Sequence, residues 1–293
     1  MTPSLPSVRE TPAPPNPLDS LRIPAGDRLV ALRSNFAGAQ PFPHVVLDDL
    51  VDIEVARRVA RREFVDVGGP TWTYHRYYSQ KTFSRTALTS FAPETRELIG
   101  AFASAPFADF LASLTGIDGL RCDDDLEDGG LQATAAGGYL NVHIDPLVHP
   151  RKRRWRRRVN LLLYLSEEWT DDDGGDLELW DPGVTHCRVR IAPRFGRVVL
   201  LAAGPDTPHG FPDRLDCSPP RSRNCLALYF YVEEKAAPRP HFGRLYARPG
   251  DGVGRLGVAL DNVLLHLYGR LGQTLGIDDR MVNRVMRPLR RRR

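Results

Sequence analysis

Between residues 131 and 232 the chain is cut into short β-prone runs separated by turn residues, and this pattern most constrains its fold. The runs are 131–135 (LQATA), 138–144 (GYLNVHI), 158–165 (RVNLLLYL), 175–180 (GDLELW), 187–192 (CRVRIA), 196–203 (GRVVLLAA), a short piece at 209–211, and 223–232 (RNCLALYFYV). Asp173-Gly174-Gly175 and Pro193-Arg194-Phe195-Gly196 supply turn chemistry between them. Many short strands at fairly even spacing predict an all-β sandwich or barrel. No internal repeat is visible.

The flanks differ. Residues 1–27 are rich in proline, with Ser, Thr and Asn, and predict a flexible tail, with order beginning near Leu29. Phe42 to Leu50 reads as a strand. After Asp52, an N-cap candidate, Ile53, Ala56, Val59, Ala60 and Phe64 recur at helical spacing until Gly68-Gly69-Pro70. Two further helices are expected over 93–103 and 107–114. Beyond Pro238 a loop leads to a helical stripe of Leu260, Val263, Leu264, Leu267, Leu271 and Leu275, then a basic tail. The expected division is a tail over 1–27, a domain over 28–235 with its β core at about 130–233, and a helical extension over 236–293.

Charge is concentrated rather than spread. Arg151-Lys152-Arg153-Arg154-Trp155-Arg156-Arg157-Arg158 supplies seven cations and the C-terminal arginines (287, 290–293) five more. Without those twelve, 28 basic residues face 36 acidic ones, so the remaining surface is acidic and a general nucleic-acid binder is not expected. The 151–158 run has three readings: a solvated loop, a site for nucleic acid or anionic membrane, or a cationic lid favouring an anionic substrate. No apolar run approaches the ~18 residues that cross a bilayer. The first residues are not basic-then-apolar, so no secretory leader is expected. Four scattered cysteines without C-x-x-C spacing fit a reducing cytoplasm.

The chemistry centres on His143-Ile144-Asp145 at a strand end. Residues i and i+2 of a strand share a face, so an imidazole and a carboxylate can hold one metal. One such pair is roughly what chance provides in a chain of this composition, so it needs context. His209 follows the apolar run ending at Ala203, and an arginine opens the next strand fourteen residues later. Two histidines and a carboxylate on one face leave positions open on a ferrous ion, as non-haem oxygenases require. A 2-oxo acid fills two of them and O2 a third, while its far carboxylate needs a cationic fork, which arginine provides.

In order, the segments GGYLNVHID, RRVNLLLYLSEEW, DDDGGDLELW, PDTPHGFPDRLDC and SRNCLALYFYV resemble the 2-oxoglutarate- and iron(II)-dependent oxygenase superfamily, in its prolyl 4-hydroxylase-like branch. The resemblance covers about residues 130–233, with a weaker echo in FPHVVLDDLVD. It implies a mostly β fold, a double-stranded β-helix (jelly-roll) core with flanking N-terminal helices and a C-terminal helical extension. It implies His143, Asp145 and His209 as iron ligands and Arg223 on the 2-oxoglutarate C5 carboxylate. Arg221 competes, since both arginines flank Ser222, but the frame R-x-x-L-A-L-Y-F-Y begins at Arg223. Tyr164 matches a position whose phenol reaches the same carboxylate, and reads equally as a core tyrosine. Asp145 favours hydroxylation, because halogenating relatives lose this carboxylate. The implied activity is a dioxygenase hydroxylating a small metabolite or a peptidyl residue, with Fe(II), 2-oxoglutarate, O2 and ascorbate as an optional reductant. His149 is expected on a loop over the site mouth; His44, His75, His186, His241 and His266 read as structural or surface, and Trp169 and Trp180 as core or rim.

Overall fold

The computed structural model describes residues 17–275 apart from 124, 128, 240 and 242. Residues 1–16 of the expected tail, and the basic tail after Leu275, lie outside the described residues, as do the side chains of His266, Leu271 and Leu275. Helices α1 (Gly26–Gly38), α2 (Ile53–Glu63), α3 (Pro93–Phe102) and α4 (Ala105–Thr115) precede or interrupt the first strands. Those strands are β1 (His44–Leu47), β2 (Thr73–Arg76), β3 (Gln80–Arg85) and β4 (Arg121–Cys122). Then follow β5 (Gly130–Ala135), β6 (Tyr139–Ile144), β7 (Trp155–Tyr164), β8 (Leu177–Trp180), β9 (Cys187–Ile191), β10 (Val198–Ala202), β11 (His209–Phe211) and β12 (Ser222–Glu233). A short β13 (Arg244–Leu245) and α5 (Gly254–Leu275) end the described chain.

All the pairings are antiparallel, and the main path runs β1-β10-β7-β12-β5-β3-β6-β11-β8-β9. The sheet curls over itself. On β7, β10 and β12, one face (Val159, Leu161, Leu163, Val198, Leu200, Leu226, Leu228, Phe230) packs into the core built by the helices. The other face (Tyr164, Val199, Leu201, Cys225) meets Leu177, Leu179 and Ile191 of β8 and β9. Burial on both faces explains why these strands read as unbroken apolar runs instead of alternating. This is the mostly β, jelly-roll-type architecture with flanking helices that the sequence predicts.

Asp52 caps α2 as expected, its carboxylate accepting from the backbone N–H of Glu54 and Val55. At the other end of α2 the buried Glu63 accepts from Ala92 N (2.7 Å) and Thr95 Oγ1 (2.5 Å) and pairs with Arg85, tying α2, α3 and β3 together.

Three expectations change. Order starts before Leu29: Leu21 is buried and bridges Val51, and Arg22 N donates to Leu50 O at 2.7 Å. Composition judged that segment alone, whereas the apolar partners come from elsewhere in the fold. Second, the 151–158 run is not a loop throughout, because β7 begins at Trp155 and only 151–154 form the turn. Third, the apolar stripe of α5 faces outward: Leu260, Val263, Leu264 and Leu267 are exposed. The helix docks instead through Val258, through Asp261, which accepts from Ser79 N at 2.7 Å, and through Asn262. Asn262 exchanges two hydrogen bonds with the backbone of Leu245 (both 2.9 Å).

Glu63→Ala strands a guanidinium that is largely buried, and should lower stability by about 3–5 kcal/mol in urea unfolding. Asp52→Ala, which removes only a cap, should cost about 1 kcal/mol in the same measurement.

Candidate metal centre

Strands β6 and β11 pair with His209 directly opposite His143, which brings two imidazoles 66 residues apart to a ring separation of 4.7 Å. Close approach here is enforced by Gly210, where a Cβ would stand 2.8 Å from Asn141 O. Asp145, two residues past His143, turns its carboxylate between the rings: Oδ1 is 3.5 Å from His143 Nε2 and Oδ2 is 3.6 Å from His209 Nε2. The donor atoms of His143, Asp145 and His209 all lie within 4.8 Å of one another.

The hydrogen bonds behind the rings decide what these atoms can do. His143 Nδ1 lies 2.9 Å from Asn141 O, and His209 Nδ1 lies 2.9 Å from Thr207 O. A carbonyl can only accept, so each Nδ1 carries a proton and each neutral ring offers its Nε2 lone pair to the shared space. Two such nitrogens and one carboxylate fit a divalent transition metal with positions left open. Burial would raise the Asp145 carboxyl, but the Arg157 guanidinium and the two imidazoles hold it well below the usual carboxylate range. Burial depresses His209, whereas at His143 the hydrogen bond and charge of Asp145 outweigh burial and raise it.

The second cluster lies on the same inner face. Tyr164 of β7 is opposite Cys225 of β12, and Arg223 is two residues before Cys225. Arg223 is buried, donates through Nε to Gly175 O (2.7 Å) and through Nη2 to Tyr164 Oη (3.2 Å), and lies over the Phe211 ring at 4.1 Å. Gly175, at φ +79°, leaves room for it: a Cβ there would meet Arg223 Cδ at 2.9 Å. Arg221 points elsewhere, making a two-pronged pair with Asp173 at 2.6 and 2.8 Å. Burial raises the Tyr164 phenol above its ordinary range, so it stays a proton donor at neutral pH.

Two neighbours of Asp145 were not expected. Asn160 Nδ2 donates to Asp145 Oδ2 at 2.6 Å, and Arg157 Nη1 stands 3.4 Å from Oδ1. Arg157, from the basic run, is only 1 % exposed and its guanidinium lies 3.7 Å from the centre of the Tyr229 ring. His149 is not over the mouth but buried: Nδ1 accepts from the backbone N–H of Arg151 and Lys152, and Nε2 lies 3.2 Å from Asp123. Its place follows from the loop folding back so that Arg157 N reaches Leu147 O (2.8 Å).

Residues 129–231 match the family model of the 2OG-Fe(II) oxygenase superfamily. Over those residues the chain is similar to that superfamily. No curated protein matches the chain in sequence. Among solved structures, a prolyl hydroxylase from Trichoplax adhaerens, in complex with a hypoxia-inducible-factor oxygen-degradation-domain peptide, is similar at TM-score 0.50 and 17% identity, covering 71% of this chain and 90% of that one. An oxidoreductase of the 2OG-Fe(II) oxygenase family from Burkholderia pseudomallei is similar at TM-score 0.49 and 14% identity (74% and 97% covered). A prolyl-4-hydroxylase from Pseudomonas putida has TM-score 0.46 and 17% identity (70% and 100%). The Trichoplax likeness shows a common fold. The cofactors of that superfamily are Fe(II) and 2-oxoglutarate, and the donor set of His143, Asp145 and His209 suits the metal.

The metal-free oxygenase should take up Co(II) under anaerobic conditions at a single tight site, followed by visible absorption. His143→Ala and His209→Ala should each abolish that uptake, because two ligands of opposite kind do not hold a divalent ion as three do.

Proposed function

We propose that this protein is an Fe(II)- and 2-oxoglutarate-dependent hydroxylase in which His143, Asp145 and His209 hold the iron and Arg223 and Tyr164 hold the far carboxylate of 2-oxoglutarate. The observation that carries the reading is the pair of Nδ1-tied imidazoles converging with Asp145 on one space. Bound there, ferrous iron and 2-oxoglutarate would let O2 supply the oxidising power, one of its oxygen atoms going into the succinate formed with CO2 from 2-oxoglutarate and the other into the hydroxylated C–H bond.

The chain's own residues do the rest. Asn141 O and Thr207 O fix the ring orientations and take the Nδ1 protons, so the lone pair of each neutral ring lies on Nε2. Arg223 is held by Gly175 O through Nε, which leaves the Nη side of its fork, beside Tyr164 Oη, to face a carboxylate. Tyr164, accepting from Arg223, can give its own proton to the same carboxylate. Between the two ends, the cross-strand partners Leu162 and Ala227 make an apolar floor on which water finds no hydrogen bonds.

The substrate is an organic molecule with an unactivated C–H, either a small metabolite or a peptidyl residue such as proline. The cationic-lid argument for an anionic substrate weakens, since the basic run is paired locally. Arg151 faces Glu127, Lys152 faces Asp123, Arg154 faces Glu233, Arg156 faces Glu234 and Arg157 faces Asp145. The same pairing weakens the alternative of a non-catalytic binder of nucleic acid or anionic membrane through this run. The four cysteines are free thiols, which supports the reducing, cytoplasmic setting we propose.

With Fe(II), O2 and 2-oxoglutarate the protein should release succinate; no succinate above a metal-only control, with or without substrate pools, would sink the reading. Arg223→Lys keeps the charge but loses the fork, and should raise the 2-oxoglutarate KM about 10–100-fold with Co(II) uptake unchanged. Arg221→Lys should leave that KM as it is and lower only thermal stability.

A further inference from the structure

The stretch Val159–Leu163 (VNLLL) contains one polar residue, Asn160, and it sits on the most constrained strand of the sheet. Strand β7 is paired on both sides, with β10 and with β12, so Asn160 has little freedom to move. By ordinary alternation it shares the inner face with Leu162 and Tyr164, opposite Tyr229. Its Nδ2 donates to Asp145 Oδ2 at 2.6 Å, while its Oδ1 is buried without a partner. Leucine would occupy a similar volume with no orphaned acceptor. Retaining the amide therefore points to what Nδ2 does.

The carboxylate needs holding because the Arg157 guanidinium competes with a metal for it. Asp145 lies beyond the last residue of β6 and before Pro146, outside the ladder that fixes His143. Arg157 stands 3.4 Å from its Oδ1, brought there by a bulge. Phe230 pairs with Val159 and Tyr231 with Arg157, so Arg158 is the extra residue and Arg157 falls on the inner face beside Asn160. Without a bond to Oδ2, the carboxylate can rotate toward the guanidinium or present both oxygens to one cation. An oxygen already holding a short amide hydrogen bond is the weaker donor to a metal.

We propose that Asn160 is a positioning residue for the metal carboxylate, its Nδ2–H holding Asp145 Oδ2 so that the carboxylate meets a divalent ion through one oxygen and in one orientation. The proposal rests on His143, Asp145 and His209 being the metal site. Outer partners of metal ligands commonly change metal affinity by about 10–100-fold when removed.

The test is anaerobic titration of the metal-free full-length protein with Co(II), read by its visible d–d absorption, alongside the thermal unfolding of each metal-free variant. Asn160→Leu should weaken Co(II) binding about 10–100-fold and alter the d–d bands, with the metal-free unfolding temperature unchanged or raised. If Asn160→Leu does not fold, Asn160→Ser, a smaller side chain, reads the same quantities. Wild-type affinity and spectrum in the variant overturn the proposal. Failure of the underlying metal reading looks different: wild-type protein then takes up no Co(II), or His209→Ala takes it up equally well.

Discussion

The register between β6 and β11 is the constraint from which the site follows. An antiparallel pair can be slipped, and a slip of one residue sends each side chain to the opposite face. Here His209 opposite His143 is the one alignment that gives both Nε2 atoms a common space, and several contacts defend it. The Gly210 approach admits no side chain, the two Nδ1–H groups are spent on carbonyls two residues upstream, and β13 covers the other edge of β6, pairing Leu245 with His143. A short strand of three residues, β11, is thereby held as firmly as a long one.

Charge is handled by the same economy. A curled sheet has an interior that cannot hydrate ions, so several buried ionised groups are given an opposite one nearby. Asp145 has Arg157, Glu63 has Arg85, and Asp123 has His149 and Lys152. Arg223 is different. Its contacts are a carbonyl, a phenol and two aromatic faces, and no carboxylate stands against it among the described ion pairs. A buried cation so arranged suits an anion that arrives from outside, which is the part we propose for the far carboxylate of 2-oxoglutarate.

The ligands were legible in the sequence because their geometry is local or carried by punctuation. His143 and Asp145 are two apart, His209 follows a turn, and Gly174-Gly175 announces the hairpin on which Arg223 rests. Arg157 was not legible. Seven cations in eight residues look solvated, and only the bulge at Arg158, which no composition reveals, turns one of them inward. Strands β2 and β3 escaped because TYHR and QKTFSR are nearly all half-buried on both faces, so neither alternation nor an apolar run marks them. Helix α1 escaped for a similar reason, Phe36 being its one buried residue.

The C-terminal extension shows how a polar contact can do what an apolar stripe was expected to do. Among the described residues of α5, the leucines and valines of the stripe are exposed, while the one acid, Asp261, is buried on the β2–β3 turn. Asn262, beside it, holds both backbone groups of Leu245, and Leu245 is the cross-strand partner of His143. The Ser79 carbonyl in that same turn accepts from Asn141 N, and Asn141 O in turn orients His143. Two chains of hydrogen bonds thus run from one helical turn of α5 to one metal-facing imidazole. Hydrogen bonds specify position more sharply than apolar burial does, since they weaken steeply with misalignment. An extension that braces the strand of a candidate metal ligand needs alignment more than adhesion, which gives its polar face, not its leucines, a reason to dock.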